Sequence, residues 1–256
     1  MQKGNVTLEV ENNIGTITFS HPQSNALPSH LLTLLTDTIS NAGKDHNIKV
    51  IILKSDGNKA FCAGANFDEL IALSDVESGQ KFFLGFANVI NAIRLCPKFV
   101  IGRVQGKAVG GGVGLAAAAD YCLATTAAMI KLSELTIGIG PFVIAPAVER
   151  KIGLAAFSQL TINATQWKDA EWARNKGLFA EIYDTIDQLD NVVNELAVQL
   201  SQSNPEAMSS LKKIFWENTE DWDELLTDRA TISGKLVFSD FSKKAMENFK
   251  NKVTKK

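Results

Sequence analysis

The sequence predicts an α/β protein: a spiral of β-β-α units followed by a helical C-terminal region. Paired strand-like runs, each pair leading toward a helical run, recur between Val6 and Leu132. The glycine triplet Gly110-Gly111-Gly112 lies where the third unit passes from strand to a small-residue helix. From Leu154 onward helical patterns dominate, and Trp167, Trp172, Trp216 and Trp222 all fall there. Because the units recur in pattern without repeating in sequence, they imply a spiral of similar layers rather than a solenoid of identical ones.

Taken in order, Val6–Val10 and Ile14–Phe19 alternate apolar and polar residues around Glu11-Asn12-Asn13, the signature of a hairpin. Pro28 suits the first turn of a helix whose Leu31, Leu35 and Ile39 recur every four residues, with Gly43 closing it. Val50–Lys54 is nearly continuous in apolar residues and so predicts a strand buried on both faces. Asp56-Gly57-Asn58 turns it toward Ala60-Phe61-Cys62, and Ala63–Phe67 is a small-residue bend. Val76–Leu95 has helical periodicity and stops before Pro97; its Phe82, Phe83 and Phe86 suit core packing or the wall of an acyl pocket. Phe99–Val104 leads into the glycine triplet, and Tyr121–Ala124 and Met129–Leu132 read as short strands. The later helices are interrupted at Leu178–Ile182 and at Asn204, where Pro205 opens another helix. The large tryptophan surfaces in this half need burial against the first half or a partner chain.

At 256 residues and 27.8 kDa the chain is ample for one large core. We expect a β-β-α spiral core with the ligand site over residues 1–195 and a helical oligomerisation region over 196–256. A net charge of −2 gives no electrostatic reason to expect nucleic acid. Cys62, Cys96 and Cys122 stand alone without CxxC spacing, so neither a disulfide framework nor a metal site is expected. Met1-Gln2-Lys3-Gly4 leads into a polar segment without an apolar leader pattern, and no run of about 18 apolar residues occurs, so no membrane association and a cytoplasmic location are expected.

The glycine triplet matches neither GxGxxG nor GxxxxGK[ST], which disfavours a nucleotide cradle. Glycines at a helix start leave unpaired N–H groups without side chains in the way, a socket for negative charge. A second small-residue bend, Cys62-Ala63-Gly64-Ala65, follows its own strand about 46 residues earlier. One N–H from each bend, converging on a carbonyl oxygen, would stabilise charge developing there, roughly 3 to 4 kcal/mol for one well-placed donor. Glu134, at the end of Ile130-Lys131-Leu132-Ser133, is the candidate base.

The runs Ala60-Phe61-Cys62-Ala63-Gly64-Ala65-Asn66-Phe67, Val104-Gln105-Gly106 through Gly112, and Leu132-Ser133-Glu134-Leu135 with Gly138 resemble the enoyl-CoA hydratase/isomerase (crotonase) superfamily. The resemblance covers about residues 5–250 and is tightest from Ala60 to Gly140. It implies a crotonase-like fold, with the N–H groups of Ala65 and Gly111 holding the thioester carbonyl of an acyl-CoA. It matches Glu134 to a catalytic glutamate of the hydratases, whose second glutamate falls at Gly114 here. Ile137–Phe142 resembles the Δ3,Δ2-enoyl-CoA isomerase branch. The reading that follows is double-bond isomerisation by a single glutamate through an enolate. The alternatives are a hydratase or another crotonase reaction, such as decarboxylation, and a non-catalytic acyl-CoA-binding subunit. The resemblance places coenzyme A along Ser24, Ala26, Ala63 and Ala65, implies no cofactor beyond the coenzyme A of the substrate, and implies a homotrimer or dimer of trimers.

Other conspicuous residues have plainer readings. His21, His30 and His46 are scattered and require no triad. Cys62 reads as a buried apolar cysteine at a bend. Asp120 resembles a structural position of the family, and Asn66 stands where many relatives carry Asp. Lys250 and Lys252 read as solvated lysines within reach of coenzyme phosphates.

Overall fold

A computed structural model describes residues 4–254, with side chains through Lys250. Strands β1 (Asn5–Glu11) and β2 (Ile14–Ser20) form the expected antiparallel hairpin, from Asn5 opposite Ser20 to Glu11 opposite Ile14. Asn12 and Asn13 turn it with φ of 51° and 63°, a left-handed conformation that asparagine tolerates. Helix α1 (Ser29–Lys44) buries Leu31, Leu35 and Ile39. Pro28 is its N-cap rather than part of its first turn. Gly43 does not close the helix; it is buried near Cys96 and Pro97, with Cys96 Sγ 3.3 Å from where a side chain would begin.

Strands β3 (Val50–Ser55) and β4 (Ala60–Cys62) follow. Phe67, read in the sequence as part of a bend, instead opens helix α2 (Phe67–Ala72), with Asn66 Oδ1 accepting from the Glu69 N–H at 2.9 Å as N-cap. Helix α3 (Val76–Leu95) has the expected bounds and begins at a capping box between Asp75 and Ser78. Next come β5 (Phe99–Val104), β6 (Lys107–Val109), α4 (Gly111–Ala118), β7 (Tyr121–Thr125) and β8 (Met129–Lys131). Glu134 does not extend β8 but opens a 3-10 turn, Glu134–Ile137.

Helix α5 (Ala145–Ile162) starts ahead of the Gly153 divide read from the sequence; Gly153, with φ 74°, breaks it internally. Beyond it lie β9 (Lys168–Asp169), α6 (Ala170–Asn175), β10 (Glu181–Tyr183), α7 (Ile186–Ser201), α8 (Pro205–Phe215), α9 (Trp222–Leu236) and α10 (Asp240–Thr254). The division expected between residues 195 and 196 falls inside α7.

The strands form two sheets, ordered β1-β2-β3-β5-β7-β10 and β4-β6-β8-β9. From β3 onward each unit gives its first strand to the larger sheet and its second to the smaller one, which makes the spiral. The main core includes Ile51 and Leu53 of β3 with α1, α3 and α4. Val50 and Ile52 face the other way, onto Leu189, Val193 and Ala197 of α7, which explains the unbroken apolar run of β3. Arg103 on β5 grips Asp190 on α7 with two bonds of 2.7 and 3.0 Å. Among the described residues no helix is long and apolar enough to cross a membrane.

Asp120 anchors the C-terminal helices to the sheet. Its carboxylate accepts from the Val100 N–H at 2.7 Å, Lys212 Nζ at 2.6 Å and Trp216 Nε1 at 3.0 Å, and Lys151 Nζ donates to its carbonyl at 2.9 Å. The Asp120 and Lys212 side chains are only 4% and 3% exposed. Removing one partner strands a buried charge, so Lys212→Ala should cost about 3–5 kcal/mol in urea unfolding, and Asp120→Asn/Lys212→Met should recover most of it. A single-variant loss below about 1 kcal/mol would contradict this role.

Candidate active site

A cavity of about 820 Å³ opens where β4, β6 and β8 end, and Ser24, Ala26, Ala63, Ala65, Gly111 and Glu134 all line it. Its two glycine bends are built differently. The first is tied to the loop after β2: Ala63 N–H donates to Ser24 O, Leu27 N–H to Gly64 O and Asn66 N–H to Leu27 O, at 3.1, 2.8 and 3.2 Å. The last two bonds form a parallel bridge flanking Ala65 and turn its own N–H away from Leu27. Asn25, not singled out in the sequence, locks the loop by donating to Asp56 O and Ala60 O, both at 2.9 Å. Gln23 links Asn66 to Asp68 through bonds of 2.6 Å each. Asn66 is therefore a cap and a loop anchor.

The second bend begins at Gly110, whose N–H donates to Lys131 O at 2.9 Å and whose φ is 53°. Gly110 O accepts from Val113 and Gly114, leaving the Gly111 N–H as an orphan first-turn donor of α4. Neither the Ala65 nor the Gly111 N–H donates to a protein acceptor among the described residues. The bends touch: a side chain on Gly64, where φ is 82°, would begin 2.6 Å from Val109 O and 3.3 Å from Gly111 N. Gly111 has no room either, since Phe86 Cδ1 lies 2.6 Å from the place of its absent side chain. Two free N–H groups on adjoining bends can hold one carbonyl oxygen.

Glu134 faces this pair. A side chain on Gly110 would begin 2.7 Å from Glu134 Oε1, while Glu134 Oε2 is buried without a hydrogen-bond partner among the described residues. Burial pushes its carboxyl up to about 7. Gly138, in the left-handed conformation, ends the turn and accommodates Ser242 and Phe241 of α10. Among the described residues the only other carboxylate on the cavity wall is that of Asp68, which accepts from Gln23.

Beside Gly114 the space holds Ile144, whose Cβ lies 2.8 Å from where a side chain would begin. The sequence pointed to Phe142 as the filler, but Phe142 packs against Gly140. Phe83 and Phe86 line the cavity, whereas Phe82 lies in the core behind them. Cys62 is fully buried and its thiol is pushed up to about 12, so it is no nucleophile at neutral pH. Lys250 lies on the cavity wall, and the side chain of Lys252 is outside the described residues.

The model of the enoyl-CoA hydratase/isomerase family matches residues 9–256. The chain is 29% identical over 252 residues to the short-chain-enoyl-CoA hydratase of Clostridium acetobutylicum, covering 97% of this chain and 95% of that one. It is 27% identical over 236 residues to the peroxisomal Delta(3,5)-Delta(2,4)-dienoyl-CoA isomerase of Arabidopsis thaliana, covering 83% of each. The crystal structure of an enoyl-CoA hydratase from Bacillus halodurans shares the fold, with a TM-score of 0.89 at 22% identity over 95% of this chain and 99% of that one.

A carboxyl at about 7 when folded, against an ordinary 4.5, favours folding while protonated; that contribution is present below pH 4.5 and is lost as pH rises through 7. Glu134→Gln should therefore match the parent in stability near pH 4.5 and exceed it above pH 7, by at most about 3 kcal/mol. Thermal unfolding at both pH values checks this, and a pH-independent difference would contradict the buried carboxylate.

Proposed function

Because the chain belongs to the enoyl-CoA hydratase/isomerase family, we propose that it is an enzyme that shifts the double bond of an enoyl-CoA, with Glu134 as its single proton carrier. Glu134 takes a proton from C2 of a 3-enoyl-CoA, the Ala65 and Gly111 N–H groups hold the enolate oxygen, and the same carboxyl returns the proton at C4. Coenzyme A lies along Ser24, Ala26, Ala63 and Ala65, and the substrate brings the only cofactor that the reaction requires.

The observation that carries this reading is Ile144 filling the space beside Gly114. A second carboxylate cannot stand there without displacing hydrocarbon, so one acid is left beside the two N–H groups. A carboxyl poised near 7 can both accept and return a proton at neutral pH. Hydration is the second reading, favoured by the name of the Clostridium relative; other crotonase reactions, decarboxylation among them, would use the same enolate site. The buried and unpartnered Glu134 oxygen argues against a subunit that only binds.

The same reading extends to assembly. Residues 196–256 form an oligomerisation region, and exposed Ile214, Phe215 and Phe241 offer apolar contacts for a homotrimer or a dimer of trimers. The protein works in the cytoplasm.

Turnover of 3-enoyl-CoA and hydration of 2-enoyl-CoA, measured side by side, test the proposal. Glu134→Gln should lower isomerisation by roughly 100-fold to 10,000-fold while acyl-CoA binding survives. Near-parental turnover would remove Glu134 from the role. Gly111→Pro should abolish activity by deleting a donor and its geometry, whereas Ala65→Gly should be mild because its N–H remains. Equal losses in the two would contradict backbone donation. Gly114→Glu alone should gain no hydration, because Ile144 occupies the space.

A further inference from the structure

The cavity wall joins a polar stretch to an apolar one, the apolar limb of the cavity. Toward the loop after β2 the cavity is lined by Gln23, Ser24, Asp68 and Lys250, a polar wall suited to a carrier arm. Away from it the wall comprises Leu70 of α2, Phe83 and Phe86 of α3, Ile139, Ile144 and Ser233 of α9. Ser233 is the polar side chain among these, and its hydroxyl donates to Arg229 O within its own helix at 3.2 Å.

This apolar limb follows α3. Phe86 lies against Gly111, and Phe83 and Gly79 lie successively about one turn further along the same helix. At Gly79 the limb meets a barrier of backbone. A side chain on Gly79 would begin 3.0 Å from Gly234 O, and one on Gly234 would begin 2.5 Å from Gln80 N, so α3 and α9 cross in direct backbone contact. Phe86, Phe83 and Ser233 line the cavity, but Gly79 and Gly234 do not. The limb therefore ends at Ser233, next to a crossing where the two backbones touch and the Phe238 ring packs beside Gly79 at 3.1 Å from the place of its absent side chain.

Resting on the acyl-CoA reading of the site, we propose that the α3–α9 crossing, with Ser233 on its cavity side, limits the substrate to hydrocarbon acyl groups of medium length. From Phe86 to Gly79 the helix advances about 10 Å. A hydrocarbon chain with bonds of about 1.5 Å in zigzag covers that distance with roughly eight carbons. A carboxylate end, which only accepts, would meet apolar groups and a hydroxyl whose proton is already given to Arg229 O, at a desolvation cost with no compensating bond.

The test is equilibrium binding, by calorimetry, of saturated straight-chain acyl-CoA molecules, which need no catalysis. Affinity should rise roughly tenfold for each two carbons up to about eight and then level off or fall, each methylene gaining burial only while the limb has room. Ser233→Leu should move the break about two to four carbons shorter. The wild-type length series stands without any variant. Affinity climbing steadily through hexadecanoyl-CoA would overturn the length limit, and tighter binding of an ω-carboxylated chain than of the plain chain of equal length would overturn the restriction to hydrocarbon ends. Loss of affinity at every length in a folded Ser233→Leu protein would overturn the role of Ser233. Failure of every acyl-CoA to bind would overturn the acyl-CoA reading and this proposal together.

Discussion

The absence of side chains at Gly64, Gly110 and Gly111 is the constraint on which the site depends. Each missing side chain leaves room for something specific: the Val109 carbonyl at Gly64, the Glu134 carboxylate at Gly110 and the Phe86 ring at Gly111. A methyl group at Gly64 would separate the two bends, and one at Gly110 would push the carboxylate away. Positive φ at both positions reinforces the requirement for glycine. Two orphan N–H groups and one orphan carboxylate oxygen thus face a single cavity, each bearing an unmet need that a substrate carbonyl and a transferable proton would satisfy.

Such a site needs a rigid surround, because unpartnered polar groups favour any rearrangement that finds them a partner. The surround is tied at points distant in sequence. Asp120 fastens α8 to β5, and Arg94 of α3 reaches the Thr219 carbonyl and Asp223 at 2.7 and 2.8 Å. Phe86, on that same α3, is held against Gly111. Helix α10 closes over Gly138, so the turn carrying Glu134 is braced by the C-terminal helix of its own chain. Catalytic geometry and global stability draw on the same contacts, and destabilising the C-terminal helices should loosen the site before the sheet melts.

The parts of the fold legible in the sequence are those with long periodic signals. Val76–Leu95 and Phe99–Val104 have the bounds read from apolar spacing and from Pro97, and the hairpin follows from alternation around Asn12-Asn13. Some short elements escaped. Strand β6 has three residues and α2 has six, too few to show a period, and α2 depends on the Asn66 cap. Gly153 looked like a boundary but is a break inside a helix whose two parts are held by packing. In the site, the glycine bends and Glu134 were visible as motifs. The plug at Gly114 was not, because Ile144 reaches α4 from a segment thirty residues later, and nothing local distinguishes it from Phe142.

The central claim is that one buried carboxyl carries the proton between two carbons of the same substrate. A 3-enoyl-CoA carrying deuterium at C2, turned over in ordinary water and quenched within the first few percent of conversion, tests it most directly. If Glu134 acts alone beside the space that Ile144 fills, part of the label should appear at C4 of the product. Complete loss of the label to solvent from the earliest time points, with isomerised product still forming, would contradict a single shielded carrier.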